Sequence, residues 1–148
     1  MHYRFLDWYL TTGIAEQWNS IYIDDVLADY RVHGNNMHQA MTRDRSGEAT
    51  SRQVLDRLFD RPHRSEEKRR WRRRVYASCY LTYAEKYFGL HMNPDARRCY
   101  LMAAAYQPSV LFTWPVARHL AAVLGSRNLY ESLKARALTR ARSGSPAR

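Results

Sequence analysis

The sequence predicts a mainly α-helical protein with a short β-strand pair near its N-terminus, and three observations carry that expectation. Glycine and proline are scarce, 6 and 5 in 148 residues, which disfavours a turn-rich β-sandwich. From about residue 51 onward, apolar residues recur at three- and four-residue spacing, the period of a helix with one buried face. Between residues 21 and 33 the spacing changes to short apolar and alternating runs bounded by turn residues, the pattern of strands. Hydrophobic residues make up 45% of the chain, so it can bury a core.

The elements follow in order. In "MHYRFLDWYLTTGIAEQW", Phe5, Leu6, Tyr9, Leu10, Ile14 and Trp18 lie at helical spacing, so residues 3 to 18 are expected to form an amphipathic helix that Gly13 weakens. "IYI" (21–23) reads as a strand, Asp24-Asp25 as a turn and "VLADYRVH" (26–33) as a second strand ended by Gly34. Isolated hairpins are marginal, so this segment is expected to need strands supplied from elsewhere. "TRDRSGEATS" (42–51) reads as a polar linker. Beyond it, "SRQVLDRLF" places Val54, Leu55, Leu58 and Phe59 on one stripe. Ser65 is expected to cap a long helix opened by Glu66 and Glu67 and closed by Gly89. Asn93 and Pro94 open the next helix, Pro108 follows its end, Ser109 caps another, and Gly125 closes it. A last helix is expected over 127–140, before a polar "RSGSPAR" tail. The expected organisation is therefore a unit over 1–42 and a helical domain over 43–148.

Charge is also unevenly placed along the chain. Residues 1–60 hold 6 Lys+Arg against 9 Asp+Glu, whereas residues 61–148 hold 18 against 5. Such asymmetry assigns the halves different partners. The basic run "RSEEKRRWRRRVYASCY" reads as a solvated helix face, as a contact for an anionic membrane surface through residues 64–74, or as a nucleic-acid patch. No nucleic-acid motif accompanies it, which ranks that partner last. Cys79 and Cys99 lie in predicted helices without metal-type spacing and are expected to be buried, inert thiols. The first residues lack a signal-peptide pattern, and the longest apolar tract is interrupted by Pro115, Arg118 and His119. A cytoplasmic location, peripheral to the inner face of a membrane, is expected.

Within the helical part, Tyr80, Tyr83, Ala84 and Tyr87, then Ala96, Tyr100, Ala103 and Pro108, match the spacing of one tetratricopeptide helix pair. A solenoid needs roughly three or more repeats, so the pattern is expected to form one helical hairpin.

"MHYRFLDWYL" and "IYIDDVLADYRVHGNNM", taken together, resemble the C-terminal edge of the catalytic domain of family-2 glycosyltransferases of the GT-A fold. In that family an acidic pair opens a helix and a later strand ends in "YRxH". The resemblance covers about residues 1–40, and the helical remainder looks like the tail that often follows such domains. It implies inverting transfer of a sugar from a nucleotide-diphosphate donor to a glycan or lipid-linked acceptor, in an envelope-polysaccharide type of chemistry. Asp7 then stands where the catalytic base belongs, removing the acceptor proton as its oxygen attacks the anomeric carbon. His33 matches the histidine that completes a divalent cation, magnesium or manganese, on the diphosphate. Arg31 shares a strand face with His33 and suits the diphosphate bidentately. Asn36 joins it as a substrate-binding candidate.

Blander readings stand beside these roles. Asp7 can be a capping or exposed acid, Arg31 an ion-pair partner of Asp24, Asp25 or Asp29, and Asn35, Asn36 and His38 turn residues. The sequence also departs from the family pattern. Leu6 takes the place of the first acid, Gly13 that of a frequent arginine, and the chain has no Asp-x-Asp motif. No strand-rich nucleotide-binding half precedes the matching segment. The expectation is a truncated enzyme, inactive and cofactor-free by itself. Rivals from other classes are a tetratricopeptide-like interaction module and a basic helical nucleic-acid binder.

Overall fold

The computed structural model describes residues 6–29, 37–125, 128 and 130–132. Among the described residues the protein is mainly α-helical. Its elements are α1 (Leu6–Gln17), α2 (Met37–Arg43), α3 (Ser46–Asp60), α4 (Ser65–Gly89), α5 (Asn93–Tyr106), a 3₁₀ turn (Pro108–Phe112) and α6 (Trp114–Leu124).

The centre is the antiparallel pair α4 and α5. On α4, Tyr76, Tyr80, Tyr83, Ala84 and Tyr87 recur every three or four residues and all are buried, so they form one stripe. Facing them on α5 are Ala96, Cys99, Tyr100 and Ala103, each with no exposed surface. Small residues let the helix backbones approach, and tyrosine rings fill the space beside them. At one end of this seam Tyr106 stacks on Tyr76 and Tyr80, with ring centroids 5.1 and 5.8 Å apart. Helix α3 covers α4 with Leu55, while α6 covers α5 with Val116 and Ala122. Tyr100 donates to Glu85 at 2.7 Å, and the His119 ring of α6 lies 3.0 Å from the same carboxylate.

Several expected elements are corrected. The stretch 42–51, expected as a linker, instead completes α2 and opens α3, with Thr42, Gly47, Glu48 and Ser51 buried. Its polar residues are spent on tertiary contacts: the Ser51 and Tyr83 hydroxyls are hydrogen-bonded at 2.8 Å. Gly47 lies so close to α4 that a Cβ there would stand 3.1 Å from the Tyr83 hydroxyl and 3.2 Å from the Met41 carbonyl oxygen. The strand expected over 21–23 and the described part of the one over 26–33 are irregular, exposed chain. No strand among the described residues lies beside them, and an unpaired strand has no ladder to hold it.

Helix boundaries also shift. The described α1 spans 6–17 of the expected 3–18. Ser65 lies inside α4, the residue before it, Arg64, being left-handed without a side-chain cap. At the other end His91, with φ 61, takes the left-handed position expected of Gly89. Met92 N–H then donates to the Tyr87 carbonyl at 2.9 Å and closes a Schellman-type turn. Asn93 is the first residue of α5 rather than its cap. Ser109 falls in the 3₁₀ turn, and α6 starts five residues later at Trp114. Residues 128 and 130–132 are helical; the rest of the helix expected over 127–140, and the tail, lie outside the described residues.

Candidate functional site

Asp7 sits in the first turn of α1, exposed to solvent. Arg31, His33 and Asn36 lie outside the described residues, as does Asn35. His38 does not end a turn but belongs to α2, where it is exposed.

Helix α1 is fixed to the rest of the molecule through Glu16. Its carboxylate accepts hydrogen bonds from Lys68 and Arg61, and Arg61 also donates to the Tyr9 hydroxyl at 2.9 Å. Burial alone would raise the Glu16 pKa, but the bonds from Lys68 and Arg61 hold it below the ordinary carboxylate value. This anchor sets Trp8 over a cleft of about 460 Å³ whose other walls include His38, Leu55, Val75, Cys79 and Lys86. Lys86 lies 4.9 Å from the centre of the Tyr83 ring. The cleft wall is largely hydrocarbon and aromatic, and its thiol is inert: burial pushes Cys79 up to about 11, so it stays protonated at neutral pH.

The strongest polar constellation lies elsewhere, where the opening of α3 meets α4 and α5. Arg98 grips the Glu48 carboxylate with both terminal nitrogens, at 2.8 and 2.5 Å. Tyr87 donates to the same group at 3.0 Å and the Cys99 thiol at 3.6 Å. Beside it Arg45 makes a second bidentate pair with Asp95, 2.8 Å at each bond. Burial would raise the Glu48 pKa, yet hydrogen bonds from Arg98 and Tyr87 outweigh it and keep the carboxylate ionised. Asp95 is lowered by its bond to Arg45. Both oxygens of Glu48 are thus engaged, and the group is a clamp between helices rather than a base awaiting a proton. Cys99, pushed up to about 12 by burial, is equally unreactive.

No family model, curated protein or solved structure was found to match this chain. Chemical meaning therefore rests on the residues themselves.

Among the described residues, no group of three His, Cys, Asp or Glu side chains is placed to hold a metal ion. Among the same residues no helix is long and apolar enough to cross a membrane.

Sequence reasoning missed the Glu48 clamp because its partners are 39 to 51 residues away. The one local hint was a glutamate within a segment whose neighbours Val54 and Leu55 carry helical periodicity. It also missed the Glu16 anchor, separated from its cations by 45 and 52 residues.

Proposed function

We propose that residues 1–42 are the C-terminal edge of a family-2 glycosyltransferase catalytic domain whose remaining strands come from polypeptide outside this chain. The observation that carries this reading is the unburied apolar face of the segment. Leu10, Ile14 and Trp18 repeat every four residues along α1 and are 52%, 59% and 70% exposed. Ile21, Tyr22, Val26 and Leu27, the residues expected in strands, are more exposed still, Ile21 at 87%. Exposed apolar residues gathered in one segment suit a missing partner surface, and strand-forming residues without a sheet suit a sheet completed from elsewhere.

In the completed domain Asp7 takes the proton of an acceptor hydroxyl. The acceptor oxygen forms its bond to the anomeric carbon as the bond to the nucleotide diphosphate breaks on the opposite face, inverting the configuration. Arg31 and Asn36 hold the diphosphate and donor. The divalent cation expected on that diphosphate belongs with His33 and with carboxylates from the completing polypeptide.

The test has two parts. DNA upstream of the Met1 codon is expected to encode, in frame, a half-domain with an Asp-x-Asp motif, and co-expression of both parts is expected to restore turnover of a nucleotide sugar. Asp7→Asn in that assembly lowers kcat by at least about 10²-fold, the usual contribution of a general base. An unrelated upstream gene, or an assembly indifferent to Asp7→Asn, rejects the reading.

A second reading is favoured by the α4 and α5 seam. Its buried Tyr80, Tyr83, Ala84 and Tyr87 against Ala96, Tyr100 and Ala103 suit a tetratricopeptide-like hairpin used as an interaction module. Capture of a peptide held by residues 76–108 would support it over the enzyme.

A further inference from the structure

We infer that the end of the α4 and α5 hairpin bearing the 3₁₀ turn is a docking surface for an anionic lipid bilayer. Two features that are distant in sequence meet there. Residues 64–74 of α4 and its approach carry seven Lys+Arg against two Glu. Some of this charge is already matched: Lys68 is held by Glu16, and Arg72 lies 3.8 Å from Asp60. Arg69, Arg70, Arg73 and Arg74 are all exposed. Arg69 and Arg73 continue, at four- and three-residue steps, the stripe on which Tyr76, Tyr80, Tyr83 and Tyr87 face the core. They therefore extend the α5-facing side of α4 beyond its last core layer.

The other feature comes from the far end of α5. Arg73 Nε donates to the Tyr106 carbonyl at 2.9 Å, and two residues later the chain enters the 3₁₀ turn. Val110 is buried and fixes that turn to the core, while Phe112 is 90% exposed, Trp114 74% and Leu111 37%. Gln107 is extended and the turn rises about 2 Å per residue, which keeps Phe112 within about 15 Å of Tyr106 and of the arginine beside it. An aromatic, apolar tip and the Arg69 and Arg73 pair consequently share one end of the molecule, with Arg70 and Arg74 on the adjoining faces of the same helix end. Rings that enter the interface, next to guanidinium groups at headgroup level, are what an anionic bilayer binds.

Trp71 favours lipid over a nucleic-acid strand. Arg70 and Arg74 already lie over its ring, 5.8 and 5.2 Å from the centroid, where a base would have to stack. The surface does not involve Asp7 or the face of α1, so it stands or falls independently of the glycosyltransferase reading.

The test is sedimentation of the full chain with vesicles of phosphatidylcholine, alone or with about one-third phosphatidylglycerol. Binding is expected only to the anionic vesicles and is expected to weaken with salt. Arg69→Gln, Arg70→Gln and Arg74→Gln each weaken it about fivefold, and Phe112→Ser with Trp114→Ser weakens it at least about tenfold. Leu10→Ser with Ile14→Ser leaves it unchanged. Brominated acyl chains are expected to quench the tryptophan fluorescence of the unaltered chain, and Trp114→Phe to bind normally but lose most of that quenching. Equal binding to neutral vesicles, indifference to the Phe112 and Trp114 substitutions, or a gel shift with RNA or DNA in the absence of vesicle capture overturns the inference.

Discussion

The α1 stripe and the α4 stripe are written in the same pattern, apolar residues every three or four positions, yet they meet opposite fates. Tyr80, Tyr83 and Tyr87 are at most 4% exposed, whereas Leu10, Ile14 and Trp18 are at least 52% exposed. Periodicity says that a helix has a face to bury, not that a partner is present to receive it. The α4 stripe finds Ala96, Tyr100 and Ala103 a short turn away on α5. The α1 stripe turns away from the body, because α1 is held by the other side, through Glu16, Tyr9 and Trp8.

The largest expected effect breaks the buried side of that contrast. Leu55→Ala, at a residue 1% exposed, is expected to cost about 3 kcal/mol of unfolding free energy in a urea titration. The matching truncation Ile14→Ala, 59% exposed, is expected to cost less than about 0.5 kcal/mol. Should the two costs be equal, the α1 face is not the unpartnered surface described above. In the assembly with the completing half-domain the same Ile14→Ala is expected to become costly, which sharpens the contrast.

Glu48→Ala comes next. It leaves Arg98 and Tyr87 facing an empty site, and about 2 to 3 kcal/mol is expected, below the figure for a fully buried pair because the Arg98 side chain is 46% exposed. Asp7→Ala, at an exposed carboxylate without such partners in its own helix turn, is expected to leave the urea midpoint unchanged.

Acid supplies a smaller, graded effect. Glu48, Glu16 and Asp95 all have pKa values lowered in the folded state. Their stabilisation is therefore complete above the ordinary carboxylate range and is lost as pH falls below about 4 through the folded values. Glu48→Gln is expected to flatten this acid limb in a melting-temperature series from neutral pH downward.

Different physical signals separate what was legible from what was not. Helix α4 was readable almost to its ends, since Glu66, Glu67 and the tyrosine stripe are local signals. The details of its caps were not: Arg64 before its start and His91 after its end take left-handed conformations, which apolar spacing does not mark. The segment 42–51 misled because polar residues look alike whether they face water or a buried partner. Of the candidate site, Asp7 lies in the first turn of the described α1; the strand expected to carry Arg31 and His33 has no regular form over its described part, 26–29.

By itself the sequence determined a helical body, its tyrosine-rich seam and the unequal division of charge, since each follows from spacing and composition within a few turns of chain. Only the tertiary structure decided that Glu48 is a clamp, that the α1 stripe lies bare, and that Arg73 of α4 reaches the Tyr106 carbonyl just before the 3₁₀ turn. Those facts depend on which surfaces meet across tens of residues, and contact energies at that range leave no periodic mark on the residues that make them.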